Sequence, residues 1–186
     1  MSVFSVDTEQ IIKAVNEIEN LFPFIYETEG FLDLLQLTNP YILPAVILYN
    51  NIPLLQYILR SNISNAFILD GTLLVFALKI QNTDAVLLLL SDLRVDPSAK
   101  NNFAIRMASR DGYDKAVALL LNNPRVDPSV EVNYAIRIAS ENGHDKVVAL
   151  LLTDPRVDPS AEVNIAIRWA SENGHDKVGK RYVRIF

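Results

Sequence analysis

The side chains of this chain that could do chemistry are its histidines, aspartates and arginines, and they return at one fixed interval. His144 and His175, the only two histidines, lie 31 positions apart. Asp96, Asp127 and Asp158 form a second series at that spacing, and Arg106, Arg137 and Arg168 a third. Imidazole and carboxylate groups are the parts of general-base and metal sites, and guanidinium groups recognise phosphate and carboxylate. The regularity argues against all three uses. Helices packed side by side sit about 8 to 10 Å apart, so like residues in successive units form ladders. A catalytic centre instead needs unlike groups within hydrogen-bond reach of one atom. Tyr113 stands at the histidine position one unit earlier, and no Gly-rich phosphate loop, nucleophile elbow or metal-spaced pair occurs. With zero cysteines, disulfides and thiolate zinc sites are excluded as well. No catalytic residue, cofactor or metal ligand is expected.

The interval itself is the larger signal. Arg94-Val95-Asp96-Pro97-Ser98 returns as Arg125 to Ser129 and as Arg156 to Ser160. Ala104-Ile105-Arg106-Met107-Ala108-Ser109 returns, with Ile138 in place of methionine, as Ala135 to Ser140 and, with Trp169 there, as Ala166 to Ser171. A period between about 20 and 50 residues marks stacked supersecondary units, none of which can bury its apolar face alone. Toward the N-terminus the identities fade while the apolar register persists: Ala108, Val117 and Leu120 step back to Ala77, Val86 and Leu89, and then to Val46, Leu55 and Ile58. Units therefore begin near positions 42, 73, 104, 135 and 166. Residues 42–93 hold two degenerate units and residues 94–186 the strong ones. Residues 1–41 read as an N-terminal cap whose helix starts at Asp7, with Asp7 and Gln10 at capping-box spacing and Ile11, Ile12, Val15, Ile18 and Leu21 in one stripe.

Each strong unit is predicted to run helix, turn, helix, loop. The first helix, Ala135 to Glu141 for example, stops at Gly143, which can take a positive φ. The second runs from about Asp145 to Leu152. Its Val147, Val148, Leu150, Leu151 and Leu152 are apolar nearly all round, so neighbouring units must cover it. Asp154-Pro155 ends it, and Pro159 stiffens the irregular connector from Arg156 to Asn164.

This pattern resembles the ankyrin-repeat family over about residues 42–186. Tyr134-Ala135-Ile136-Arg137-Ile138-Ala139-Ser140-Glu141-Asn142-Gly143-His144-Asp145-Lys146-Val147-Val148-Ala149-Leu150-Leu151-Leu152 matches the family's Thr-Pro-Leu-His-x-Ala-Ala-x-x-Gly-His-x-x-Val-Val-x-Leu-Leu-Leu. It departs in having apolar-Ala-Ile-Arg for Thr-Pro-Leu-His and 31 residues where the family has 33, the shortfall falling where the family projects a β-hairpin. The resemblance implies an all-α, ankyrin-type helix-turn-helix solenoid of about five stacked repeats with N- and C-terminal capping helices. It also implies that the histidines hold the turn between helices, and that the chain binds a protein partner on its concave face.

In the family that face is lined by the connector and the first helix. The variable positions there are Lys100, Glu131 and Glu162; Phe103, Tyr134 and Ile165; Met107, Ile138 and Trp169; and Arg110, Glu141 and Glu172. Aromatic residues and arginine anchor interfaces, and Met107, Ile138 and Trp169 differ too much in shape for one tightly packed core site. The expected partner-facing residues are Met107, Ile138 and Trp169, rimmed by Arg110, Glu141 and Glu172. Phe103 and Tyr134 join them as contact or core residues, because the family's threonine there is partly buried.

Composition sets the remaining bounds. The 186 residues are 50% hydrophobic with a net charge of −5, and the acidity is concentrated in residues 1–72, which carry two basic and eight acidic side chains. No nucleic-acid footprint, membrane span, secretory signal or small-molecule site is read, which leaves an intracellular, cytoplasmic monomer as the expectation. After Val178 the pattern breaks, Gly179-Lys180-Arg181-Tyr182-Val183 replacing Val148 to Leu152. With Lys177, Lys180, Arg181 and Arg184 around Val178, Tyr182 and Ile185, this segment reads as a closing helix. The other reading is a truncated remnant of a longer array without activity of its own.

Overall fold

The computed structural model describes residues 42–60 and 71–183, with the side chains of Ile42 and residues 161–163 excepted. The expected cap over residues 1–41, with its helix from Asp7, lies outside the described residues, as do Arg184 and Ile185. The described residues are helix, turn and loop, with no strand among them. Among the described residues ten helices follow one another: α1 (Ile42–Leu48), α2 (Ile52–Arg60), α3 (Thr72–Lys79), α4 (Thr83–Ser91), α5 (Ala99–Arg110), α6 (Asp114–Leu121), α7 (Val130–Glu141), α8 (Asp145–Leu151), α9 (Ala161–Glu172) and α10 (Asp176–Tyr182). They pair in sequence. Odd-numbered helices pack on odd-numbered neighbours and even on even, so the pairs stack into two layers with contacts running from each pair to the next.

Burial follows the 31-residue register. Ala77, Ala108, Ala139 and Ala170 are fully buried where odd helices meet, small enough to let backbones approach. Val86, Val117 and Val148, with Leu89, Leu120, Leu151 and Tyr182, fill the layer between the two helix rows. The degenerate units obey the same rule through Val46, Leu55 and Ile58. Seven of these helices have only seven to nine residues and could not persist alone in water, so this shared burial is what holds them.

The Arg-Val-Asp-Pro-Ser motif ties each unit to its predecessor. Val95, Val126 and Val157 are buried. Asp96, Asp127 and Asp158 each accept from the backbone N–H and hydroxyl of the serine two residues on, at 2.6 to 2.9 Å. Arg125 Nη1 donates to the Val95 carbonyl at 2.8 Å, and Arg156 Nη1 to that of Val126 at 2.6 Å. Arg156 is itself held by Asp154, and Arg94 by Asp92. Those hydrogen bonds pull both carboxyl groups below their ordinary pKa. The carboxylate ladder is thus made of turn-formers.

One feature departs from the predicted helix start at Ala135. Lys100, Asn101 and Asn102 have φ of 54°, 58° and 54°, and Glu131, Val132 and Asn133 have φ of 51°, 55° and 59°. A left-handed turn therefore precedes the right-handed helix in α5 and α7, and Asn164 at φ 60° keeps the feature in α9. Each such residue costs on the order of 1–2 kcal/mol when it carries a Cβ, and β-branched Val132 is the most unusual occupant. What holds the turn is tertiary. Asn102 Oδ1 accepts from the Asp127 N–H of the next unit, and Asn133 Oδ1 from that of Asp158, both at 2.8 Å. Asparagine tolerates this conformation best and is buried at both places.

The residues after Val178 continue α10. Tyr182, at the position of Leu151, is 1% exposed and shares a 2.8 Å hydrogen bond with Ser140 of α7, whose hydroxyl also donates to the Ile136 carbonyl. Arg181 Nη2 lies 3.0 Å from Asp145 Oδ2 on α8. Burial pushes the Tyr182 phenol up to about 12. In the unfolded chain it titrates near 10, so its neutral form stabilises the fold fully below about pH 10 and that contribution is lost as pH rises toward 12. Tyr182→Phe is expected to cost about 0.5–1.5 kcal/mol at pH 7 through the lost hydrogen bond and to flatten the alkaline fall in stability. Urea midpoints of both proteins between pH 7 and 11 test this; parallel curves would place the phenol in water.

Candidate functional site

The first helices carry a continuous stack of aromatic rings and guanidinium groups. Residues three, four and seven apart share one face of a helix, which aligns Phe103, Arg106 and Arg110 on α5, Tyr134, Arg137 and Glu141 on α7, and Ile165, Arg168 and Glu172 on α9. Across the units the guanidinium of Arg106 sits 5.6 Å from the centre of the Phe103 ring and 5.7 Å from that of Tyr134. Arg137 sits 6.0 Å from Tyr134 and 5.9 Å from Trp169. The order along the array is Phe103, Arg106, Tyr134, Arg137, Trp169. Each pairing contributes about 0.5–1 kcal/mol at exposed positions and fixes both partners in place.

Arg106 is the best anchored of the row. Its Nε and Nη2 donate to the carbonyls of Asn101 and Lys100 in the left-handed turn, and its Nη1 pairs with Glu131 at 3.0 Å. Arg137 is held less completely, its Nη2 lying 3.5 Å from the Glu131 carbonyl and its buried Nε finding no acceptor among the described residues. Stacking is therefore the main restraint on Arg137.

The expected interface residues do not all share this face. Phe103, Tyr134, Ile138, Trp169 and Glu141 are half-buried, and Arg110 and Glu172 are exposed. Met107 is corrected: at 5% exposure it belongs to the core. The position lies where the packed and open sides of the helix meet, and an unbranched, flexible side chain can fold inward there, where the rigid indole of Trp169 stays partly outside. Phe103 packs against the core through part of its ring and also stacks on Arg106, so it serves both purposes. The side chain of Glu162 lies outside the described residues. Arg110 pairs with Asp111 at 2.7 Å, which raises its pKa further.

The histidines are placed by the same inter-unit logic. A carbonyl can only accept, so His144 Nε2–H donates to Arg110 O at 2.9 Å and His175 Nε2–H to Glu141 O at 2.8 Å. Tyr113 makes the corresponding longer contact, 3.5 Å to Lys79 O. The ring's tautomer is set by a backbone carbonyl of the preceding unit. Among the described residues no group of three or more His, Asp or Glu side chains could hold a metal ion, and no helix is long and apolar enough to cross a membrane.

The sequence marks Arg106 and Arg137 only as ladder members and gives Asn102 and Asn133 no evident role. The available signal was the recurrence of asparagine immediately before each apolar helix start, at Asn102, Asn133 and Asn164. No protein-family model matches this chain, and none of the curated proteins matches it.

Proposed function

We propose that the chain is an ankyrin-like solenoid that acts as a non-catalytic protein-interaction module, docking a protein partner on the concave face formed by its first helices. The observation that carries this reading is the aromatic and arginine stack from Phe103 to Trp169, half-exposed across three successive units. Rings and guanidinium groups already immobilised by stacking lose little rotamer freedom when a partner covers them, which favours binding there. The module needs no cofactor, metal or small-molecule substrate, and acts as a cytoplasmic monomer. The residues after Val178 belong to the array, because Tyr182 and Arg181 make specific bonds to the unit before them.

Trp169→Ala tests the reading. Truncating a tryptophan anchor typically costs at least about 2 kcal/mol of affinity, whereas the loss of one stacked cation costs the fold about 1 kcal/mol. A protein retained from source-cell extract by the wild-type chain should be lost by Trp169→Ala at nearly unchanged melting temperature, and kept by Lys146→Ala. Equal retention by Trp169→Ala would remove this face from binding.

A further inference from the structure

From α3 to α9 the last residue of the first helix changes sign along the array. Lys79 ends α3 and Arg110 ends α5, whereas Glu141 ends α7 and Glu172 ends α9. A helix C-terminus carries partial negative charge, so a basic residue there is favourable and an acidic one is not. The first pair follows that rule. The second pair breaks it, and α7 and α9 have no basic residue in their last turn to compensate. The strong units share nearly the same frame, except that Arg110 is followed by Asp111, with which it pairs at 2.7 Å, where Glu141 and Glu172 are followed by Asn142 and Asn173.

These four side chains project along the same face as the aromatic and arginine stack, each seven residues beyond its helix's first ring or equivalent position. The row of Arg106, Arg137 and Arg168 is common to the three strong units and adds no gradient. Arg106 is paired with Glu131, and Arg168 lies 4.0 Å from Glu172. Lys100 adds positive charge beside the Arg110 end, while Asp111 offsets part of it. What remains is a polarity, basic toward Lys79 and Arg110 and acidic toward Glu141 and Glu172.

Resting on the interaction reading above, we infer that the occupant of this face is an extended polypeptide segment of a partner, with an acidic block over Lys79 and Arg110 and a basic block over Glu141 and Glu172. The two ends are two repeat steps apart, about 16–20 Å at about 8–10 Å per step. Extended chain rises about 3.3 Å per residue, so the blocks are separated by about five or six residues. The rings between them take the segment's apolar side chains. Charge complementarity sets which way the segment lies, because reversing it places like charges together at both ends.

Selection of random sixteen-residue peptides displayed on phage against the full chain tests this, followed by titration of the enriched peptides. Expected are sequences with an acidic and a basic block separated by about five or six residues, whose binding weakens as salt rises. Glu141→Arg with Glu172→Arg should weaken them at least tenfold, and changing the peptide's basic block to glutamate should restore binding to that variant alone. Lys79→Glu with Arg110→Glu should give the mirror result with the acidic block. Lys79, Arg110 and Glu172 are exposed and Glu141 is half-buried, and melting curves of each variant check that the fold is kept. Enriched peptides without the two blocks, or affinities within twofold across the charge variants, overturn the inference. If those peptides still need Trp169, the docking face stands and only its polarity falls; if Trp169→Ala leaves binding intact as well, the functional reading fails with it.

Discussion

Leu151→Ala is expected to lower the stability of the chain by about 2–5 kcal/mol, the range for emptying a fully buried leucine site. Leu151 has no exposure, and its helix α8 is packed between α6 and α10, so the void opens between units and weakens two interfaces at once. In a stacked array, stability is close to a sum of unit and interface contributions, which places this site among the most sensitive. Lys146→Ala on the same helix is the control. Its side chain is 76% exposed and approaches Asp114 only to 3.8 Å, so the change should stay within about 0.5 kcal/mol. Urea midpoints of the two variants measure the contrast. Equal midpoints would invert the assignment of inside and outside on α8.

That contrast could be drawn from the sequence because burial is what a repeat must preserve. Ala139, Val148 and Leu151 cannot change size without disturbing two neighbours, so their identities or volumes recur every 31 residues. The same pressure kept Val46, Leu55 and Ile58 in register after most other resemblance in that part of the chain had faded. The helix pairs accordingly fall where the apolar pattern predicts them, from α1 to α10. The all-helical class was legible for the same reason.

The left-handed turns were not legible, because no local preference produces them. Lys100, Glu131 and Val132 disfavour positive φ, and they adopt it only because Asn102 and Asn133 are fixed by N–H groups 25 residues further on. A bond of that kind exists only after the next unit has stacked. Met107 failed for a related reason: position 107 and its equivalents were read as open because their residue types vary, yet variation at the edge of a packed face also arises when a flexible side chain folds in. The stack from Phe103 to Trp169 lay between these cases. Its members recur visibly, while the alternation of rings and guanidinium groups depends on the distance between units, which no single unit encodes.

Gly143→Ala should be far more damaging than the equivalent change at Gly174, although both glycines end a first helix at nearly the same φ, +75° and +73°. The conformational penalty of a Cβ, about 1–2 kcal/mol, is common to the two. Surroundings separate them. A Cβ on Gly143 would lie 2.6 Å from Nδ1 and 2.8 Å from Cε1 of His175, whereas one on Gly174 meets nothing within 4 Å. The His175 ring has little room to yield, because its Nε2–H is bonded to the Glu141 carbonyl at 2.8 Å. Moving it forfeits that bond, about 0.5–1.5 kcal/mol, on top of about 1–3 kcal/mol of overpacking. Gly143→Ala is therefore expected to cost about 3–5 kcal/mol and Gly174→Ala about 1–2 kcal/mol. Truncating the ring removes the clash, so Gly143→Ala combined with His175→Ala should be less destabilised than the sum of its single changes by about 1–3 kcal/mol. Additive costs would mean that His175 does not occupy the space above Gly143. The glycine would then be required for its backbone conformation alone, and the histidine would lose its place as the wedge that keys one unit into the next.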